Sequence, residues 1–136
     1  MRRAILLTLL LLFACKEKDP VVATINEVTE AAEDRDAEEV MKYVASTYAD
    51  RSEVQELLRR YFFAYRTIDV SVQQLESNHS TDSGAATFRV DFLGVPKEIG
   101  GLDQVMPRTA VYRFDLDFIV ENGKWKISAA EWRQEQ

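Results

Sequence analysis

The chain has 136 residues, 46% hydrophobic and 29% charged, with 17 Lys and Arg against 23 Asp and Glu. That length holds one domain, and the apolar fraction is too high for a disordered chain. A net charge of −6 argues against nucleic-acid binding, which needs a basic face to displace counterions; one Cys and one His supply neither a disulfide nor a Cys/His zinc site.

Residues 1–15 read MRRAILLTLLLLFAC. Arg2 and Arg3 form a positive leader, and 4–14 is an apolar run of eleven residues. A bilayer span needs about 20 such residues, so the run fits the hydrophobic region of a secretory signal instead. Its ending, Leu12-Phe13-Ala14-Cys15, resembles the bacterial lipobox, in which a small residue precedes a Cys that is diacylated and becomes the mature N-terminus. Phe13 departs from the small or β-branched residue usual at that place. The resemblance implies a lipoprotein signal peptide over 1–14, lipidation at Cys15, a short tether over 15–19, and a membrane-attached protein of the bacterial cell envelope. In a Gram-negative source, Lys16 in place of the Asp that retains lipoproteins in the inner membrane points to the periplasmic side of the outer membrane. Loss of Arg2 and Arg3 leaves 15 basic and 23 acidic side chains, so attachment is expected through acyl chains and not through a basic surface.

Asp19-Pro20 offers a helix cap followed by Pro at the first helical position, where its missing N–H costs nothing. Val21, Ile25, Val28 and Ala32 then recur at helical spacing. Asp36 and Glu39 have capping-box spacing ahead of Val40, Met41 and Val44, which predicts a short second helix. Ser52 and Gln55 repeat that signal before Val54, Leu57, Leu58, Tyr61, Phe62 and Tyr65, a wide apolar face for a third helix.

From Ile68 the period changes to two. Ile68, Val70 and Val72 alternate with polar residues, as do Phe88, Val90 and Phe92 after a turn-like stretch at 77–84, and Tyr112, Phe114, Leu116, Phe118 and Val120 further on. Asn122-Gly123 is a strong hairpin turn, and Trp125 and Ile127 open the last strand. Such alternation predicts an antiparallel sheet with one buried and one wet face. Residues 93–107 contain Pro96, Gly100, Gly101 and Pro107 and read as a long loop, a candidate lid or partner-contact segment whose shortening should leave the melting temperature nearly unchanged.

Helices first and then strands predict an α+β fold in which three N-terminal helices pack on the apolar face of an antiparallel sheet, which the resemblance below implies is curved. That order, the segment Tyr48-Ala49-Asp50 and the ending Asn122-Gly123-Lys124-Trp125-Lys126-Ile127 resemble the NTF2-like superfamily of cystatin-like, cone-shaped domains, which includes SnoaL and the ketosteroid isomerases. The resemblance covers about residues 20–133 and assigns 20–136 as the domain. It implies a bent sheet wrapped around helices with a pocket at the open end. Members include isomerases, dehydratases and cyclases, and also non-catalytic binding domains.

Enzymes of this kind need an acid–base group inside the cone, where an apolar setting moves its pKa toward neutrality. Asp69, Asp91, Asp115 and Asp117 fall on the outward phase, and His79 lies in the expected turn. No phosphate loop, nucleophile elbow or metal-spaced cluster is present in the sequence. We therefore assign no catalytic residue, metal or cofactor. Tyr43, Tyr48, Tyr61, Tyr65, Tyr112 and Trp125 are the ligand-pocket candidates, since each joins apolar bulk to one polar handle; core packing is the competing role. Asp50 is read first as a helix starter and second as part of the pocket mouth, and Glu121 and Asn122 as turn residues only. The expected function is binding, of a small apolar or amphipathic molecule or of an envelope protein; the alternative is an isomerase, dehydratase or cyclase.

Overall fold

The computed structural model describes residues 19–135. The expected signal peptide, Cys15 and the tether up to residue 18 lie outside them. Among the described residues no helix is long and apolar enough to cross a membrane. Helices α1 (Pro20–Glu33), α2 (Ala37–Met41) and α3 (Arg51–Phe63) precede β1 (Tyr65–His79), β2 (Ser83–Pro96), the one-turn α4 (Leu102–Val105), β3 (Thr109–Glu121) and β4 (Lys124–Glu135). The strands form one antiparallel sheet in the order β1-β2-β3-β4.

α1 begins where the local chemistry dictates. Asp19 accepts a hydrogen bond from the Val21 N–H at 2.9 Å, and Pro20 occupies the first turn. Asp36 caps α2 through the Glu39 N–H at 3.0 Å, as its spacing predicts. The third start is a correction: Asp50, not Ser52, is the cap residue of α3, and it sits at φ 55° with no side-chain cap bond.

One long helix covers the sheet, not three. Val21 and Ile25 of α1 are buried with Phe88, Leu116, Phe118 and Ile127; its other end joins a second cluster with Phe62, Tyr65, Ile68 and Phe92. α2 has only five residues, and Phe62 is the sole buried residue of α3. Leu57 and Phe63 are 66% and 62% exposed, so the broad apolar face expected of this helix is only partly used. Tyr65, expected on that face, opens β1 instead, because α3 ends at its Ala64 cap.

Two expected loops prove shorter. β1 continues to His79 and β2 starts at Ser83, so the turn is 80–82, closed by the Ser80 N–H to the Ser83 carbonyl at 2.8 Å. β2 likewise runs on to Pro96, and the connection that follows is braced: Leu102 and Met106 pack on the core, and the Pro107 carbonyl accepts from the Tyr65 hydroxyl at 2.7 Å. Shortening this segment therefore removes core contacts, contrary to the expectation of a free lid. Asn122 and Gly123 have φ of 54° and 77°, the pair of positive values that a two-residue hairpin turn requires.

The register shifts between Tyr65 and Thr67, between Gln74 and Glu76, and between Asp117 and Phe118. Each extra residue bends its strand and deepens the local twist. The edge strand β4 is covered by the segment after α2: Ala45 N–H donates to the Ile127 carbonyl, and Ile127 N–H to the Tyr43 carbonyl, both at 2.8 Å. Glu121 adds to this contact by accepting from the Ser46 hydroxyl at 2.7 Å, a structural role beyond that of a turn residue.

Candidate functional site

Three of the six aromatic candidates converge. Tyr61 ends its helix face above β1, Tyr65 starts that strand, and Tyr112 lies on the inward phase of β3. The rings of Tyr61 and Tyr65 are 5.2 Å apart, and Phe92 stands 5.2 Å from Tyr65 and 5.9 Å from Tyr61. Tyr65 is fully buried, and its hydroxyl is committed to the Pro107 carbonyl. It is a core residue with a satisfied polar end.

From this buried base the aromatics continue outward. Tyr112 lies 6.2 Å from Phe114 and 5.8 Å from Trp132, and Phe114 stacks on Trp132 at 6.4 Å with an interplanar angle of 30°. Trp132 is 64% exposed. Two aromatic groups, Tyr61–Tyr65–Phe92 and Tyr112–Phe114–Trp132, thus meet at the neighbouring hydroxyls of Tyr61 and Tyr112, and lead from the sealed Tyr65 to an open indole.

The electrostatics of these rings are set by burial. Desolvation raises the phenol pKa of Tyr61 well above its ordinary value, with the neighbouring Tyr65 and Tyr112 hydroxyls as smaller influences. Burial likewise raises Tyr65 and Tyr112, and the remaining contributions come from the other phenols. No carboxylate or imidazole contributes to any of the three shifts. Chemically, these aromatics offer flat apolar faces and the neutral hydroxyls of Tyr61 and Tyr112.

The other three candidates lie elsewhere. The Tyr43 hydroxyl donates to Glu27 at 3.4 Å on the outer side of α1. Trp125 packs edge-on to His79 at 5.8 Å near the β1–β2 turn. There His79 Nδ1 is 3.7 Å from Asp19, whose other carboxylate oxygen accepts from the Ser77 hydroxyl at 2.5 Å. His79 therefore ends β1 beside the start of α1 and is not a turn residue. Tyr48 lines an open groove of about 430 Å³ between the start of α3 and β4, together with Asp50, Val54, Leu57 and Ala130. Asp50 is thus the cap residue of α3, its first reading, and also lines this mouth, its second.

Asp69, Asp91, Asp115 and Asp117 are all exposed, on the outward side of the sheet. Trp132 is the functional candidate that alternation misses. Counting by two from Trp125 and Ile127 turns residue 132 outward, but the extra residue opposite the Asp117–Phe118 step reverses the phase, pairing Ala130 with Leu116 and Trp132 with Phe114. The register across β3 carries that information; the sequence of β4 does not. Among the described residues no group of three or more His, Cys, Asp or Glu is placed to hold a metal ion.

No protein-family model and no curated protein matches the sequence. Solved structures do match in shape. A candidate scytalone dehydratase from Novosphingobium aromaticivorans has a TM-score of 0.72 at 11% identity, over 86% of this chain and 83% of that one. A candidate dehydratase of the NTF2-like family from Streptomyces avermitilis gives 0.69 at 14% identity, over 86% and 95%. Bd1075 from Bdellovibrio bacteriovorus gives 0.69 at 10% identity; the match covers 85% of this chain but only 40% of that protein's length. At such identities a shared shape carries no shared activity. What these similarities do establish, with the helix-then-meander order and the curved antiparallel sheet, is that residues 19–135 form a domain of NTF2-like fold.

Proposed function

We propose that this domain is a binding module that takes a small aromatic or amphipathic molecule along the aromatics from Trp132 to Tyr61, held on the bacterial envelope by an acylated Cys15. The observation that carries the binding half is the gradient of burial along them. They are sealed and hydrogen-bonded at Tyr65, half-buried at Tyr61 and Tyr112, and open at Trp132. Exposed aromatic surface that meets buried phenols suits a ligand with a flat body and one polar group. The anchoring half rests on the run 4–14 and its ending at Cys15.

The second reading, an isomerase, dehydratase or cyclase, is favoured by the names of two structural neighbours. It requires an acid–base group beside the phenols; Asp69, Asp91, Asp115 and Asp117 lie on the opposite, outward face of the sheet. The aromatic cluster favours binding.

Native mass spectrometry of the detergent-extracted protein, with 1-naphthol added as the probe, tests both halves. A chain that starts at Cys15, carries acyl groups and retains one naphthol is expected. Tyr112→Phe and Trp132→Ala should each weaken retention about 5-fold or more, the worth of roughly one hydrogen bond or one ring contact. A chain that still starts at Met1 overturns the anchor. Retention unchanged in both variants overturns the binding site.

A further inference from the structure

The sheet is open at β4. Tyr43 and Ala45 occupy the outer edge of that strand only at Ile127. From Ser128 to Glu135 this edge makes no backbone hydrogen bond to another segment among the described residues, and the open groove lined by Ser128, Ala129 and Ala130 separates it from α3. Such a row of unpaired N–H and C=O groups is a template for a further strand.

The charges on this edge are badly placed within their own sheet. Glu131 stands opposite Asp115, and Arg133 opposite Arg113. Like charges directly opposite one another repel. Neither Glu131 nor Arg133 has an ion-pair partner among the described residues. Between them, on the other face of the strand, Trp132 is 64% exposed. Along β4 an acid therefore precedes the indole by one residue and a base follows it by one.

We propose that β4 pairs edge to edge with β4 of a second copy of this chain, antiparallel, in the register that sets Trp132 opposite the partner's Trp132. A two-fold axis normal to the sheet passes between these two residues. Glu131 then stands opposite the partner's Arg133, and Arg133 opposite the partner's Glu131. The acidic row through Asp115 and the basic row through Arg113 each end on the opposite charge. The register is specific. Only a pairing centred on a residue keeps the inward faces of both copies on one side, because successive side chains alternate. Centring on Glu131 or on Arg133 would set acid against acid or base against base.

Residues 129–135 pair with their own counterparts over about 24 Å of ladder, and two four-stranded sheets become one of eight. A two-fold contact needs a self-complementary patch, which this segment supplies. A peptide from another protein would have to bring the same charges in the same order; a second copy already carries them. Directly opposite side chains start about 5 Å apart, so each indole covers the other. On the binding reading above, on which this consequence rests, the partner's Trp132 becomes the outer wall of the ligand site.

Sedimentation equilibrium of the full chain in density-matched detergent, without ligand, tests the pairing independently of that reading. The wild type is expected to be a dimer at tens of micromolar. Glu131→Arg and Arg133→Glu each set two like-charge pairs across the edge and should weaken self-association on the order of 10-fold or more. Mixed in equal amounts the two variants should pair with each other at near wild-type affinity, since every crossed contact is again of opposite sign. The chain carrying both changes should recover for the same reason. Both residues are exposed, and thermal melts followed by circular dichroism establish that the variants fold. Cross-linking reads the register: under mild oxidation Trp132→Cys should join two copies, its α-carbons being about 5 Å apart, whereas Gln134→Cys, roughly 14 Å from its counterpart, should not. A monomeric wild type, dimers that persist in both single variants, folded variants that fail to pair when mixed, or equal cross-linking at 132 and 134 would each overturn the proposal. Intact dimers that retain no naphthol would sink the binding reading alone.

Discussion

Gly94 lies in β2 with its backbone in the ordinary range, yet a β-carbon there would come within 2.6 Å of Tyr65 Cε1 and 2.7 Å of Phe92 Cζ. The two rings close over the glycine, and that approach seats Tyr65 deep enough for its hydroxyl to reach Pro107. Gly94→Ala is expected to cost about 1–3 kcal/mol through the forced shift of both rings. Urea denaturation measures it; an unchanged midpoint would mean that the rings move freely. At this scale the sequence was informative about residue type but silent about company. Tyr61, Tyr65 and Tyr112 could be picked out as amphipathic rings, as could Tyr43 and Trp125, which lie far from them. Separating the two groups needs contacts across three elements, which no spacing along the chain encodes. Gly94 itself gives no local signal, since its neighbours in sequence are not the atoms that exclude a side chain.

At the scale of elements, the boundaries that could be read were those made by neighbouring residues. Asp19-Pro20 starts α1 and Asn122-Gly123 turns β3 into β4, because both depend on backbone geometry within a few residues. The start of α3 was legible only in part: Asp50 reads as a helix starter, but the capping-box spacing points to Ser52, because the cap at Asp50 uses backbone geometry without a side-chain bond. The reversal of phase in β4 was hidden for another reason: a bulge exists only relative to the strand it opposes. Asp19 does more than its sequence suggests, joining the first turn of α1 to Ser77 on β1. Burial works against its charged form, but hydrogen bonds from Ser77 and Val21 and the nearby His79 hold the carboxyl below its usual 3.8. A carboxyl lowered on folding stabilises the native state above the unfolded value and loses that contribution as pH falls through the folded one. Asp19→Ala is accordingly expected to cost about 1 kcal/mol near neutral pH, the worth of a helix cap. Its acid denaturation profile should fall less steeply below about pH 4 than that of the wild type, a difference that circular dichroism along a pH series detects. Identical profiles would show that the bond to Ser77 contributes nothing.

For the whole molecule, the order of helices and strands was enough to anticipate an α+β domain with one buried sheet face. How much of that face the helices cover was not, because α3 is amphipathic in sequence and still leaves Leu57 outside. The buried phenols make the fold sensitive to alkali. All three are raised on folding, so their contribution is complete below about pH 10, where an unfolded tyrosine begins to ionise, and is lost as pH climbs through the higher folded values. The melting temperature is expected to drop on the order of 5 °C between about pH 8 and pH 11, and by less in Tyr61→Phe. An equal drop in both would assign the loss to other groups. The junction at Asp19 also governs how the domain bears load. Tension arriving from the preceding residues is divided at Asp19 between β1, through the Ser77 contact, and the 14-residue α1. Once the Ser77 contact is broken, that helix would lengthen from about 21 Å to about 48 Å as it unwinds, taking up slack between the tether and the sheet.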